Sequence, residues 1–171
     1  MISTLHPFKQ ALLDSWARSN TAHEGYRVAR EHILSAVECK LSSLSLQQLS
    51  LSSLPDIFDD VALQHLHHCD LSHNRFVSFP EAINAVSWRT INFAYNISLQ
   101  NLSAHMHVYT SLQYFDISAC VQLSEIELSH LQYLPPSCRI AFAHTKLDDI
   151  AKRHPFYYIA SVHDLFKKIH R

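Results

Sequence analysis

The chain has 171 residues, 47% of them apolar and 17% charged, with a formal net charge of −1 at pH 7. That balance is globular, sufficient for one domain with a sizeable core, and it argues against a nucleic-acid binder driven by bulk electrostatics. The single glycine, Gly25, leaves no material for phosphate-cradling loops, nucleotide-binding fingerprints or tight hairpins.

The N-terminal stretch MISTLHPFKQALLDSW has no basic segment followed by an apolar one, so no secretory signal peptide is expected. No apolar run along the chain is long enough to span a membrane. Residues 7–18 predict a helix, with Phe8, Leu12 and Trp16 spaced by four. Thr21 and Glu24 have the spacing of a capping box, and a second helix is predicted from about residue 22 to 39. Its apolar stripe is Tyr26, Ala29, Ile33 and Val37, with Arg27, Arg30, Glu31 and Glu38 away from it. Residues 1–40 are therefore expected to form a helical cap over the N-terminal end of residues 41–150.

From residue 41 a pattern returns. Its clearest copy is Leu66 to Pro80, LHHCDLSHNRFVSFP. With Asn74 as position zero, apolar residues stand at −8, −5, −3, +2 and +5: Leu66, Cys69, Leu71, Phe76 and Phe79. The preceding copy is Leu41, Leu44, Leu46, Leu51 and Leu54 around Leu49. The third is Trp88, Ile91 and Phe93 before Asn96, with Ile97, Leu99 and Leu102 sharing the trailing positions. The fourth is Leu112, Phe115 and Ile117 before Cys120, then Leu123 and Ile126; the fifth is Ile140 and Phe142 before Thr145, then Leu147 and Ile150. The zero positions 49, 74, 96, 120 and 145 give steps of 25, 22, 24 and 25, the period of a leucine-rich repeat. Alternation in a strand turns −5 and −3 inward and leaves −6, −4 and −2 on the concave face. An asparagine at zero satisfies backbone groups in the turn; Asn74 and Asn96 do so fully, Cys120 and Thr145 in part, and Leu49 not at all. The expected fold is α/β: a solenoid of about five leucine-rich repeats over 41–150, with a parallel sheet on the concave side and helical caps at both ends, all one structural domain.

The convex connections are expected to be mixed. Pro80 to Val86 predicts a short helix with proline in its first turn, and Asn101 to Val108 another with Leu102 and Met106 inward. The segment 121–136 ends in Pro135-Pro136, which predicts no helix there, and Pro55 to Leu63, with Asp56, Asp59 and Asp60, predicts a solvated turn. His154 to Tyr158 suggests an irregular edge strand, and Ser161 with Asp164 a last helix, so 151–171 is expected to be the C-terminal cap. Cys69 and Cys120 fall on core and turn positions and read as small apolar fillers rather than disulfide partners.

At Tyr26 to Pro55, an amphipathic helix ending near a cysteine and followed by LSLQQLSLSSLP resembles the N-terminal part of bacterial leucine-rich-repeat effectors of the IpaH, SlrP and YopM types. The resemblance implies a repeat domain that binds a host protein and is delivered into the host cytoplasm without a classical signal peptide. Many members carry a separate C-terminal ubiquitin-ligase domain with a catalytic cysteine. The match is close over the helix and first repeat and generic beyond them. Those effectors mostly use units of about twenty residues with proline-rich backs, shorter than the steps here. Only residues 151–171 follow the repeats, so no ligase domain is expected in this sequence, and no catalytic role passes to Cys69.

Function in such an architecture is expected on the concave sheet. The residues singled out as partner-binding are His68, Asp70, His73, Asn92, Tyr95, Tyr114, Asp116, Arg139 and His144. They combine aromatic, histidine and carboxylate groups with an arginine, types enriched where partners bind tightly. Five strands spaced by about 4.8 Å make a sheet about 20 Å across, suited to a peptide, a helix or one lobe of a partner. His65, His67, His68 and Cys69 have metal-ligand types but do not converge in the repeat register, and His105 and His107 are expected on different sides of a helix. His68 is expected to pair with Asp70 or Asp116 as a pH-sensitive rim. Asp116, on an exposed face, is expected to tolerate replacement with little change in stability, unlike Asn96. The reading is therefore a monomeric, cytoplasmic protein-binding module, not an enzyme, with no cofactor, metal or nucleic acid. The alternatives are the substrate-recognition part of a larger enzyme such as an E3 ubiquitin ligase, and a histidine-rich metal binder.

Overall fold

The computed structural model describes residues 4–20 and 24–152. Two helices, α1 (Pro7–Ser19) and α2 (Glu24–Glu38), precede five short strands: β1 (Ser43–Ser45), β2 (His68–Asp70), β3 (Thr90–Asn92), β4 (Tyr114–Asp116) and β5 (Arg139–Ala141). The strands form one parallel sheet in chain order. Ser43, His68, Thr90, Tyr114 and Arg139 lie side by side across it, which is the −6 row of the repeat. The periodicity of the sequence is thus the periodicity of the backbone.

Backbone pairing outlasts the strands. The −3 amides of Leu46, Leu71, Phe93 and Ile117 each donate to the next repeat at 2.7–2.9 Å, and so do the −1 amides of Gln48, His73, Tyr95 and Ala119 at 2.8–3.0 Å. To do this the −1 residue swings into the left-handed region in every repeat: Gln48, His73, Tyr95, Ala119 and His144 have φ between 56° and 61°. The zero residue then tucks under the turn. Asn74 accepts from the Leu49 and Leu51 amides and donates to the Leu46 and Leu71 carbonyls. Asn96 donates to the Leu71 and Phe93 carbonyls and accepts from the Phe76 amide. Cys120 donates its thiol to the Phe93 carbonyl, and Thr145 its hydroxyl to the Phe142 carbonyl. The first turn, which Leu49 cannot satisfy, is served by Asn74 of the following repeat.

Behind the sheet Leu44, Leu46, Leu51, Cys69, Leu71, Ile91, Phe93, Phe115 and Ile117 are buried in one continuous core. Phe93 packs on Phe76 and Phe79 at 5.1 Å, and Phe79 meets Phe115 edge-on at 5.9 Å. Trp88 is buried with its indole N–H on the Ile83 carbonyl.

The helices close the β1 edge. Gly25 faces the Leu49 carbonyl so closely that a Cβ there would sit 1.8 Å from that oxygen. The one glycine is therefore a close-approach residue. The buried Tyr26 hydroxyl accepts from the Ser52 amide (3.0 Å), and its ring packs on Trp16 at 4.9 Å. Arg30 on α2 pairs with Asp14 on α1 at 2.7 Å. In α1 the buried residue is Leu13, while Phe8 is exposed. Thr21 of the expected capping box lies outside the described residues.

Several expectations need correction. The stretch before Pro135-Pro136 is helical: α3 (Glu125–Ser129) is capped by the Ser124 hydroxyl and runs into a 3₁₀ turn, His130–Tyr133. The prolines end that segment from beyond it and leave its interior intact. Asp60 is buried, because its carboxylate accepts from the His6 amide (2.8 Å) and the Ala62 amide (2.8 Å); only Asp56 and Asp59 remain exposed in that turn. Leu41 and Ile97 are exposed, leaving Leu99 and Leu102 as the buried trailing anchors of the third repeat. The −2 residues Ser72 and Ala94 are buried, because the chain is already turning inward there. Of the helix expected over 101–108, only the 3₁₀ turn Met106–Val108 forms. His105 precedes it in a non-helical conformation, so its ring meets His107 edge-on at 5.9 Å instead of lying on another side. A last helix, α4 (Lys146–Lys152), begins within the fifth repeat. The rest of the expected 151–171 cap, with its strand and final helix, lies outside the described residues.

Candidate functional site

The concave face is a shallow groove of about 430 Å³, lined by the −6 to −4 residues of the first four strands, including Ser43, Ser45, His68, Asp70, Thr90, Asn92, Tyr114 and Asp116. Its outward rows follow from strand alternation, with Cys69, Ile91 and Phe115 between them facing the core. The −4 row has a second task. Asp70, Asn92 and Asp116 each accept, through Oδ1, a bond from the amide two residues on: Ser72 at 2.9 Å, Ala94 at 3.1 Å and Ser118 at 2.8 Å. These Asx turns bend the chain into the left-handed −1 residue. Each side chain therefore offers the groove only its remaining polar atoms. The Asp116 Oδ2 accepts from the Tyr114 hydroxyl at 3.1 Å, and desolvation, followed by the Asp116 charge, raises the Tyr114 phenol above its ordinary value, keeping it a donor.

His68 does not pair with either carboxylate: its Nδ1 bonds the Thr90 hydroxyl across the strands at 2.9 Å. Next to it, His65 Nε2 reaches the Ala36 carbonyl at 3.1 Å, and Cys69 is buried. These three groups are thus directed to three different places. Arg139 lies beside Tyr114 at the β5 edge, exposed. His144 is exposed, and its amide is bonded to the Asp148 carboxylate at 2.9 Å.

His73 and Tyr95 stand elsewhere. They line a second hollow, of about 470 Å³, beyond the C-terminal ends of the strands, together with Ser50, Asn74, Arg75, Ile97 and Ser98. Their rings are stacked, with centroids 4.3 Å apart and planes within 8°. Strict alternation would turn the −1 position inward, as at −5 and −3; the positive φ at −1 turns these rings outward onto the rim instead. Arg75 and Ile97, one residue past the zero position, are absent from the expected binding residues, because in the repeat pattern that position is only a connection. The alternation rule ends where the left-handed turn begins, so the usable signal was the run of ring-bearing residues at −1.

Among solved structures, the chain is similar to the leucine-rich repeat domain of the type III effector XopL, with a TM-score of 0.51 and 21% sequence identity. The match covers 69% of this chain and 38% of that one, so the chain spans well under half the length of the structure it matches. No protein-family model and no curated protein matches the sequence. The likeness and the five-stranded parallel sheet together give a leucine-rich-repeat fold of the kind found in a bacterial effector's repeat domain. Among the described residues no helix is long and apolar enough to cross a membrane.

Proposed function

We propose that this chain is a protein-binding module that docks a partner on the concave sheet, and that it acts as an effector of the bacterial type inside a host cell. The observation that carries the binding reading is the groove over β1–β4. It presents His68, Thr90, Tyr114 and the carboxylates of Asp70 and Asp116 on strands whose register is locked by backbone pairing. A rigid, mixed aromatic and polar face suits recognition with little ordering penalty. The effector reading draws on the resemblance at Tyr26 to Pro55 and on the repeat domain of XopL.

Three of the four thiols are poor candidates for a catalytic nucleophile. Burial pushes the Cys120 and Cys138 thiols up to about 12 and the Cys69 thiol higher still, so all three are protonated and poor nucleophiles at neutral pH.

The test is affinity capture from host-cell lysate with the intact chain and with Ser43→Arg and Tyr114→Ala. Both residues are exposed in the groove; neither fills the core, and Tyr114→Ala gives up only the exposed bond from its hydroxyl to Asp116 Oδ2. The expected result is one saturable partner for the native chain and none for either variant, with the melting temperature unchanged for Ser43→Arg and lowered only slightly for Tyr114→Ala, which loses one exposed bond. A partner retained by both variants would place the interface elsewhere.

A further inference from the structure

The hollow beyond the strand ends holds the only positive charge among its lining residues, Arg75, and no acidic side chain. Arg75 is exposed and makes no ion pair or side-chain hydrogen bond among the described residues; only its amide is engaged, to the Leu51 carbonyl at 2.8 Å. Beside it Tyr95 is 49% exposed and Ile97 60% exposed, large apolar side chains left in water. Ile97 and Val121 follow their zero residues, Asn96 and Cys120, at the same place in successive repeats, and both are exposed, so the apolar strip continues past the hollow.

The backbone points the same way. The −1 position is left-handed in all five repeats, a conformation that favours glycine or asparagine. Here it carries His73, Tyr95 and His144 in three of the five. Any side chain at a left-handed position costs about 1 kcal/mol relative to glycine, Gln48 and Ala119 included, but neither His73 nor Tyr95 is used to fill the core. What the two rings do is build a stacked wall for the hollow, with Arg75 and Ile97 alongside.

We infer that this rim is a second docking surface, separate from the concave groove, and that it takes a segment of a partner protein with a carboxylate side chain next to an apolar one. The carboxylate pairs with the Arg75 guanidinium and the Ser50 or Ser98 hydroxyl; the apolar side chain lies on Ile97 and the Tyr95 face. Charge complementarity selects this occupant: the groove over the strands carries Asp70 and Asp116 and would reject an acidic segment, whereas the lining of the rim carries one cation with no acid beside it.

The experiment is selection of a displayed random peptide library on the intact chain, followed by titration of the winning synthetic peptide by fluorescence anisotropy. Enriched peptides are expected to carry Asp or Glu adjacent to an aliphatic or aromatic residue. Arg75→Glu should weaken the winner by at least about tenfold, and Arg75→Lys should weaken it less. A peptide with its acid changed to Lys should regain affinity for Arg75→Glu. Ser43→Arg in the concave groove should leave the affinity unchanged, which separates this surface from the one proposed above. No enrichment, enrichment without the acidic and apolar pairing, or binding indifferent to Arg75→Glu would each overturn the proposal.

Discussion

Replacing Asn74 with alanine tests the turn that joins the first two repeats. Its carboxamide accepts from two amides, Leu49 and Leu51, at 3.2 and 2.9 Å, and donates to two carbonyls, Leu46 and Leu71, at 2.8 and 2.9 Å. Alanine leaves those groups beside a buried gap. At about 1 kcal/mol for each bond lost, the substitution should remove roughly 3–4 kcal/mol. That is a large part of the 5–15 kcal/mol typical of a domain, and it corresponds to a fall in melting temperature of roughly 6–15 °C. Asn96→Ala should cost less, about 2–3 kcal/mol, since its bond from the Phe76 amide is long at 3.3 Å. The Leu71 carbonyl accepts from both asparagines, so either single change leaves it one partner and the double change leaves it none. The double variant should therefore lose more than the sum of the two singles, by about 1 kcal/mol. Urea unfolding of the four proteins, followed by far-ultraviolet circular dichroism, measures all of this. A loss under about 1 kcal/mol for Asn74→Ala, or strict additivity, would refute the ladder of shared bonds.

Asp116→Arg should lower stability by about 1–2 kcal/mol, because the carboxylate holds the Ser118 amide and the Tyr114 hydroxyl; Asp116→Asn, which keeps the Oδ1 acceptor, should lose less, and thermal melts compare the two. Gly25→Ala should destabilise by about 2–3 kcal/mol by pushing α2 off the Leu49 carbonyl, read from the urea midpoint. The Arg30 guanidinium lowers the Asp14 pKa below 3.8, so this carboxylate stabilises the fold above that pH and loses its contribution as pH falls through the depressed value. Arg30→Met should accordingly flatten the acid limb of the stability profile below pH 3.8. Of the four cysteines only Cys39 is exposed, so the native protein should react with one equivalent of a thiol reagent at pH 8 and with four after unfolding.

The repeat was legible because its rule is local. Leucine and asparagine recur at fixed offsets, and each offset has one physical meaning, so the register from Ser43 to Arg139 followed from spacing alone. What escaped lay where distant segments meet. Asp60 reads as a solvated acid until the His6 amide is brought to it from 54 residues away. Ile97 reads as an anchor until the turn shows that Leu99 and Leu102 suffice. Asp116 reads as free surface until its bond to the Ser118 amide is seen, although Asp followed two residues later by Ser recurs in these repeats and could have suggested an Asx turn. The candidate site was half legible: strand alternation found the groove over β1–β4, and it could not place His73 and Tyr95, which are themselves left-handed, because alternation holds only along extended backbone.

The steps between zero positions are 25, 22, 24 and 25, yet every strand is three residues long and pairs without offset. All the difference in length is therefore taken up on the outer curve, by turns that range from the bare 3₁₀ turn at Met106–Val108 to α3. An insertion or deletion of two or three residues there should leave the spatial arrangement of the inner rows as it was. The back of the coil can thus be resized while the front keeps its lettering.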